Sequence, residues 1–149
     1  MTTLALQPWT GTADGQAGTG GGYLHNGGVI HLGGYFGTAH GWFGAQNVTI
    51  APGATISDFR LSGDRLSAAG TADLKFQFIK EANPTYPTSN AAYNGRTLTT
   101  ASVTASYSGT GPWTSANCAA PAQEVIDQPT WASGNRQFFM VRDNNSNAN

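Results

Sequence analysis

The chain reads as an all-β domain, an antiparallel β-sandwich of jelly-roll type with one short helix before the last strand. Three observations predict this. Short apolar segments recur between turns rich in glycine and proline. One of them, Ala72–Ile79, alternates between apolar and polar residues as far as Phe78. And a single segment, 121–128, has helical character, bracketed by Pro121 and Pro129 just ahead of the apolar run Phe138-Phe139-Met140-Val141. No repeat of fixed period is present, which disfavours a propeller or solenoid.

Along the chain, residues 1–22 form a Gly/Thr/Ala-rich arm with no core-forming pattern. Two readings stay open for it: a flexible tail, or an arm that orders against a neighbouring subunit through Leu4, Leu6 and Trp9. The β-sandwich domain is expected over 23–142, with 143–149 a polar tail. Val29–Leu32, Tyr35-Phe36 and Trp42-Phe43 are short apolar pieces between glycine pairs, followed by Asn47–Ile50. Pro52-Gly53 fits the two central positions of a type II turn, where glycine supplies the positive φ. Thr55–Ser62 reads as a strand with a break, Ile56 on one side of it and Phe59 and Leu61 in phase on the other.

In Ala72–Ile79, Leu74, Phe76 and Phe78 are expected to face inward while Asp73, Lys75 and Gln77 face out. Residues 82–95 are too proline-rich for a strand and read as a long excursion. Leu98–Tyr107, rich in threonine and β-branched residues, is again strand-like, and Gly109–Pro112 breaks it. Pro121 suits a first helical turn and Pro129 stops the helix, with Val125 and Ile126 on its apolar side. Arg136–Val141 closes the domain as the last strand.

Composition narrows the function classes. Only 10% of the 149 residues are charged, the net charge is -1, and the seven basic residues are scattered, so no nucleic-acid partner is expected. Sixteen aromatics (4 Trp, 5 Tyr, 7 Phe) argue for a folded core despite 20 glycines. No apolar run approaches the length of a membrane span. The start, Met1–Pro8, lacks a basic region followed by an apolar one, so no signal peptide is expected. The single Cys118 cannot form an internal disulfide, which fits synthesis in a reducing cytoplasm.

Candidate chemistry is sparse. His25, His31 and His40 fall within sixteen residues but lack ligand spacing or a nearby carboxylate, so no metal or other cofactor is expected. Among eight carboxylates, Glu81 and Glu124 come nearest to a glycosidase pair, yet a structural role for Glu124 on the helix is the simpler reading. No nucleophile elbow surrounds a serine, and Cys118 has no recognisable histidine partner. No catalytic residue is assigned. The loop aromatics Tyr86, Tyr93 and Trp113 are the candidates for exposed contacts, either with another subunit or with a sugar ring, while Trp131 reads as core.

Two stretches carry a resemblance. Val48-Thr-Ile-Ala-Pro-Gly-Ala-Thr-Ile-Ser-Asp-Phe-Arg-Leu61 and Ala122-Gln-Glu-Val-Ile-Asp-Gln-Pro-Thr-Trp-Ala-Ser-Gly-Asn135 frame Phe76–Pro84 and Arg96–Val103 in matching order. Over residues 45–142 the chain resembles the jelly-roll, carbohydrate-binding-module-like β-sandwich modules of tailed-phage virion proteins and bacterial surface proteins. It departs from their pattern in having Gln128 where an arginine is usual and Thr130 where a glycine precedes the tryptophan.

The resemblance implies a fold and a setting without a reaction. The expected protein is a non-enzymatic virion component made in the host cytoplasm, a decoration protein on the capsid exterior. Its expected partners are the major capsid protein and further copies of itself, with a glycan-binding or tail-associated adhesion module as the alternative.

Overall fold

The computed structural model describes residues 14–18, 23–25, 39–65 and 70–144, the first two segments and Ala39 and Asn90 by their backbone alone. The strands are β1 (Asp14–Gly18), β2 (Tyr23–His25), β3 (Ala39–Val48), β4 (Ser62–Arg65), β5 (Ala72–Phe78), β6 (Val103–Tyr107), β7 (Gly111–Thr114) and β8 (Asn135–Asp143). Among the described residues two helices accompany them, α1 (Asn90–Asn94) and α2 (Ala119–Ile126). Six strands form one sheet in the order β2-β1-β3-β8-β5-β6, and β4 pairs with β7 as a two-stranded ribbon. Every pairing is antiparallel, so the fold is all-β with antiparallel sheets.

The last strand lies in the middle of the large sheet, which accounts for its composition. Phe138, Phe139, Met140 and Val141 are all buried, because both faces of β8 are covered. A strand covered on both faces has no place for alternation and reads as a continuous apolar run. Phe139 and Val141 join Leu74, Phe76 and Phe78 of β5 in the main core. Phe138 and Met140 point the other way, into a second cluster with Trp42, Ile79 and Tyr93. Register fixes these partnerships: Phe139 lies between Phe43 of β3 and Phe78 of β5, and Met140 between Trp42 and Gln77. In the main core, Phe139 meets Phe59, Phe76 and Phe78 at ring-centroid distances of 5.5, 5.8 and 4.9 Å.

Helix α2 covers the main core with Pro121, Ala122, Val125 and Ile126. It begins two residues before the expected Pro121, which therefore sits third in the helix. No hydrogen-bond donor is needed in the first turn, so the proline is tolerated there. Asn117 Oδ1 accepts the Ala119 N–H at 2.9 Å at the helix start. Asp127 caps the other end, with Pro129 two residues beyond.

Thr55–Ser62 departs from the expected strand, for only Ser62 enters one. The backbone of 54–61 is extended alongside 115–123, where side chains take the role of a neighbouring strand. Gln123 Oε1 accepts from Ile56 N–H at 2.7 Å while its Nε2 donates to Ala54 O at 3.0 Å. Asn117, six residues earlier, does the same, accepting from Phe59 N–H and donating to Ser57 O, both at 3.0 Å. Ser115 accepts from Leu61 N–H through its hydroxyl, and its own N–H donates to Leu61 O. Primary amides present a donor and an acceptor side by side, as a peptide group does. The segment thus satisfies its backbone without a ladder.

Three further expectations change. Asp14–Gly18, assigned to the arm, pairs with both β2 and β3 and belongs to the sheet. Glycine and small residues do not prevent ladder formation, which uses only backbone groups. Helix α1 arises inside the 82–95 excursion, nucleated by Ser89, whose hydroxyl accepts from Ala92 N–H at 3.1 Å. Of the expected strand Leu98–Tyr107, β6 retains the second half, and Leu98 contributes an isolated bridge to Ile79. Between them, Thr100 and Ala101 give their N–H groups to Glu124 instead of to a strand.

The Pro52-Gly53 turn forms as expected: Gly53 has φ +74° and Ala54 N–H reaches Ala51 O at 3.1 Å. Leu4, Leu6, Trp9, His31 and the apolar pieces within 29–36 lie outside the described residues.

Candidate functional site

Alternation along β5 and β8 places Lys75 and Gln77, with Met140 and Arg142, on the face away from the main core. Helix α1 and the segment after it fold over this face, contributing Tyr93 and Arg96. Together they enclose a cleft of about 270 Å³. The sheet register sets Lys75 directly opposite Arg142 on the neighbouring strand. Neither cation makes a hydrogen bond or ion pair with a described residue, and both line the cleft.

Beneath the cleft the packing is aromatic. Tyr93 is 3% exposed, lies 5.4 Å from the Trp42 ring and stacks on His40 at 6.2 Å with 12° between the planes. Its hydroxyl is buried and has no hydrogen-bond partner among the described residues. Burial pushes the phenol well above its ordinary pKa, partly opposed by the Arg142 charge, so it stays protonated and can donate. His40 is held below its ordinary value by burial and then by Arg142, with Asp143 opposing. Its Nδ1 accepts from Asp143 N–H at 3.2 Å, which fits a neutral ring.

Arg96 and Gln77, which also line the cleft, are engaged through their side-chain nitrogens. Arg96 binds Glu81 at 2.8 and 3.0 Å and donates to Thr85 O at 2.7 Å. Gln77 Nε2 donates to Thr99 O at 2.6 Å, leaving Oε1 as its remaining polar atom. Arg96 is therefore a neutralised wall, while Lys75 and Arg142 have no ion-pair partner among the described residues.

The aromatics proposed from sequence do not converge on one surface. Tyr93 is not an exposed ring: Trp42 and His40 enclose it in the second core. Tyr86 is half-buried and packs edge-on against Phe138 at 5.2 Å. Trp113, in β7, is half-buried against Tyr107 at 5.4 Å on the main-core side. The proline excursion and α1 close over the sheet because Phe138 and Met140 present an apolar face there, and this draws Tyr86 and Tyr93 inward. Leu4, Leu6 and Trp9 fall outside the described residues.

Glu81 and Glu124, the carboxylates nearest to a catalytic pair, both have structural partners. Glu124 takes Thr100 and Ala101 N–H groups at 3.0 and 2.9 Å and pairs with Lys80 at 2.8 Å. Burial would raise its pKa, but the Lys80 contact and the two backbone donors outweigh it and bring it down to about 2. Cys118 is fully buried with Sγ 3.2 Å from Ala116 O, and burial raises its thiol despite the Ser115 contact and the Arg60 charge.

Lys75 and Arg142 were not singled out from sequence. Lys75 reads as a solvent-facing residue of an alternating strand, and 67 residues separate it from Arg142. Only the insertion of β8 beside β5 brings the charges together. What the arrangement can do chemically is hold an anion: two cations and a buried phenol donor converge on one small space. Comparison with protein-family models, with curated proteins and with solved structures finds no match to this chain.

Proposed function

We propose that this protein is a non-enzymatic structural component of a tailed-phage virion, a decoration protein that stabilises the capsid exterior. One observation carries the reading. The two stretches that resemble virion jelly-roll modules, 48–61 and 122–135, dock on each other as a single unit. Gln123 holds the backbone at Ala54 and Ile56, Trp131 Nε1 donates to Ile50 O at 2.9 Å, and Gly134 N–H donates to Val48 O at 3.0 Å. The polar groups of this unit serve the scaffold, as Glu124 does. That supports a module whose polar chemistry is structural, with contacts left to its outer surfaces.

In the jelly-roll reading, the six-stranded sheet is one layer. The β4–β7 ribbon with its flanking 54–61 segment begins the other. Such a protein would act by covering junctions between capsid subunits and between its own copies, on the scale of ~1,000 Å² for a specific contact. The arm residues Leu4, Leu6 and Trp9 would tie it to the lattice.

The experiment is to count copies per particle by quantitative mass spectrometry of purified virions. Hundreds of copies support the capsid role, a handful moves the protein to the tail, and absence overturns the reading. Deleting residues 1–20 should abolish occupancy; undiminished occupancy would remove the arm from the proposal.

A further inference from the structure

We infer that the cleft between β5, β8 and the 93–99 segment binds an oxyanion, a carboxylate, phosphate or sulfate group carried on a polar molecule of about monosaccharide size. This goes beyond the decoration reading and does not depend on it, because the isolated chain suffices to test it.

The first ground is the placement of Lys75 opposite Arg142. Like charges directly across a strand pair repel, and a sheet gains nothing from the arrangement on its own. Among the described residues no acid forms an ion pair with either cation. Glu81 is taken by Arg96 and Glu124 by Lys80, while Asp73, on the same face as Lys75, accepts from the hydroxyl of Ser106 on β6. An anion bridging the two side chains converts the repulsion into two charge-assisted hydrogen bonds.

The second ground is independent of charge. Tyr93 lines the same cleft and holds a buried hydroxyl with no partner among the described residues. Buried hydroxyls are ordinarily satisfied, and an exception calls for an explanation. Arg142 lines the same cleft as Tyr93, so an acceptor held by Arg142 lies in the neighbourhood of this phenol. His40 stacks beneath the ring and Trp42 packs beside it, which holds the hydroxyl in place before any ligand arrives.

The third ground is size and polarity. About 270 Å³ is just below the usual range of small-molecule sites, which begins at roughly 300 Å³. It admits a sugar acid or a phosphorylated fragment and excludes a nucleic-acid backbone, which needs a track of cations instead of one pair. The free Oε1 of Gln77 supplies an acceptor for a hydroxyl next to the anionic group.

The test is an NMR titration of the full chain at low ionic strength, with sodium acetate, inorganic phosphate, inorganic sulfate and glucuronate as probes and glucose as the neutral control. Saturable shifts at the amides of Lys75, Tyr93 and Arg142 are expected with the anions and not with glucose. Lys75→Met and Arg142→Met should each weaken binding by about tenfold or more, and Tyr93→Phe by a smaller factor. Each variant should melt cooperatively, with Lys75→Met at or above the parent temperature, so lost binding will not be confused with lost folding.

Glucuronate binding tighter than acetate and phosphate identifies an acidic sugar as the source of the oxyanion. Phosphate or sulfate binding tighter identifies a phosphorylated or sulfated one, and both results support the site. Absence of saturable binding by every anion at millimolar concentration overturns it. So does binding that survives both Lys75→Met and Arg142→Met, or binding of glucose equal to that of glucuronate.

Discussion

Gln123 of α2 grips Ile56 as a strand neighbour would: its Oε1 accepts the Ile56 N–H at 2.7 Å, and its Nε2 reaches Ala54 O two residues back. This one side chain joins the last helix to a segment 67 residues earlier and closes the main core over Ile56. Replacing it leaves two backbone groups without partners. Gln123→Ala is expected to destabilise the fold by about 1–3 kcal/mol, read from urea unfolding. Gln123→Glu should not rescue it, since a carboxylate cannot donate to Ala54 O and would face Asp127 across the contact now made at 2.7 Å.

Phe139 is the ring on which the main core turns, in contact with Phe59, Phe76 and Phe78. Phe139→Ala should cost about 3–5 kcal/mol, since rings on a central strand cannot collapse into the space. A loss near 1 kcal/mol in the same urea measurement would mean that the core is loosely packed.

Glu124 gives the fold an acid-sensitive joint. Its folded pKa of about 2 lies below the ordinary 4.5, so the group binds fewer protons folded than unfolded. The stability it contributes is therefore present above the ordinary value and is lost as pH falls through the window from 4.5 to about 2. Glu124→Gln should flatten that part of the stability–pH curve while lowering stability at neutral pH. An unchanged slope between these limits would assign the acid response elsewhere.

Gly53 occupies φ +74° with open space where a Cβ would stand. The cost of Gly53→Ala is then purely conformational, about 1–2 kcal/mol. Thermal unfolding measures it, and Gly53→Asn should lose less because asparagine tolerates the left-handed region.

Lys75→Met should stabilise the chain in the absence of any ligand, by about 0.2–1 kcal/mol, because it removes a like-charge pair from adjacent strands. The gain should shrink as salt is raised, since screening weakens the repulsion in the parent protein. Differential scanning calorimetry at two ionic strengths checks both statements.

Local patterns were legible where local physics decides. The alternation of Leu74, Phe76 and Phe78, the proline-bracketed α2 and the Pro52-Gly53 turn all form as read, apart from the two-residue shift of the helix start. Thr55–Ser62 shows the opposite case. Its alternation is that of a strand, and Phe59 and Leu61 do pack on the core, but its hydrogen-bond partners are side chains and two backbone N–H groups from 115–123 that no local pattern announces. The candidate site was almost illegible. Tyr93 stands out in the sequence for its ring, whereas in the structure it lines the cleft with a hydroxyl that has no partner among the described residues, and Lys75 reads as an outward lysine of an alternating strand.

The sequence by itself determined the β character of this chain, the place of helix α2 and the apolar residues of β5 and β8 that must be buried. These follow from periodicity, proline and glycine geometry, and the transfer of apolar side chains from water. Only the tertiary structure decided that the last strand enters the middle of the sheet, between β3 and β5. Pairing across that sequence separation depends on which strand edges remain open once the rest has folded. The same event buries both faces of Phe138–Val141, sets Arg142 against Lys75 and closes Tyr93 beneath them.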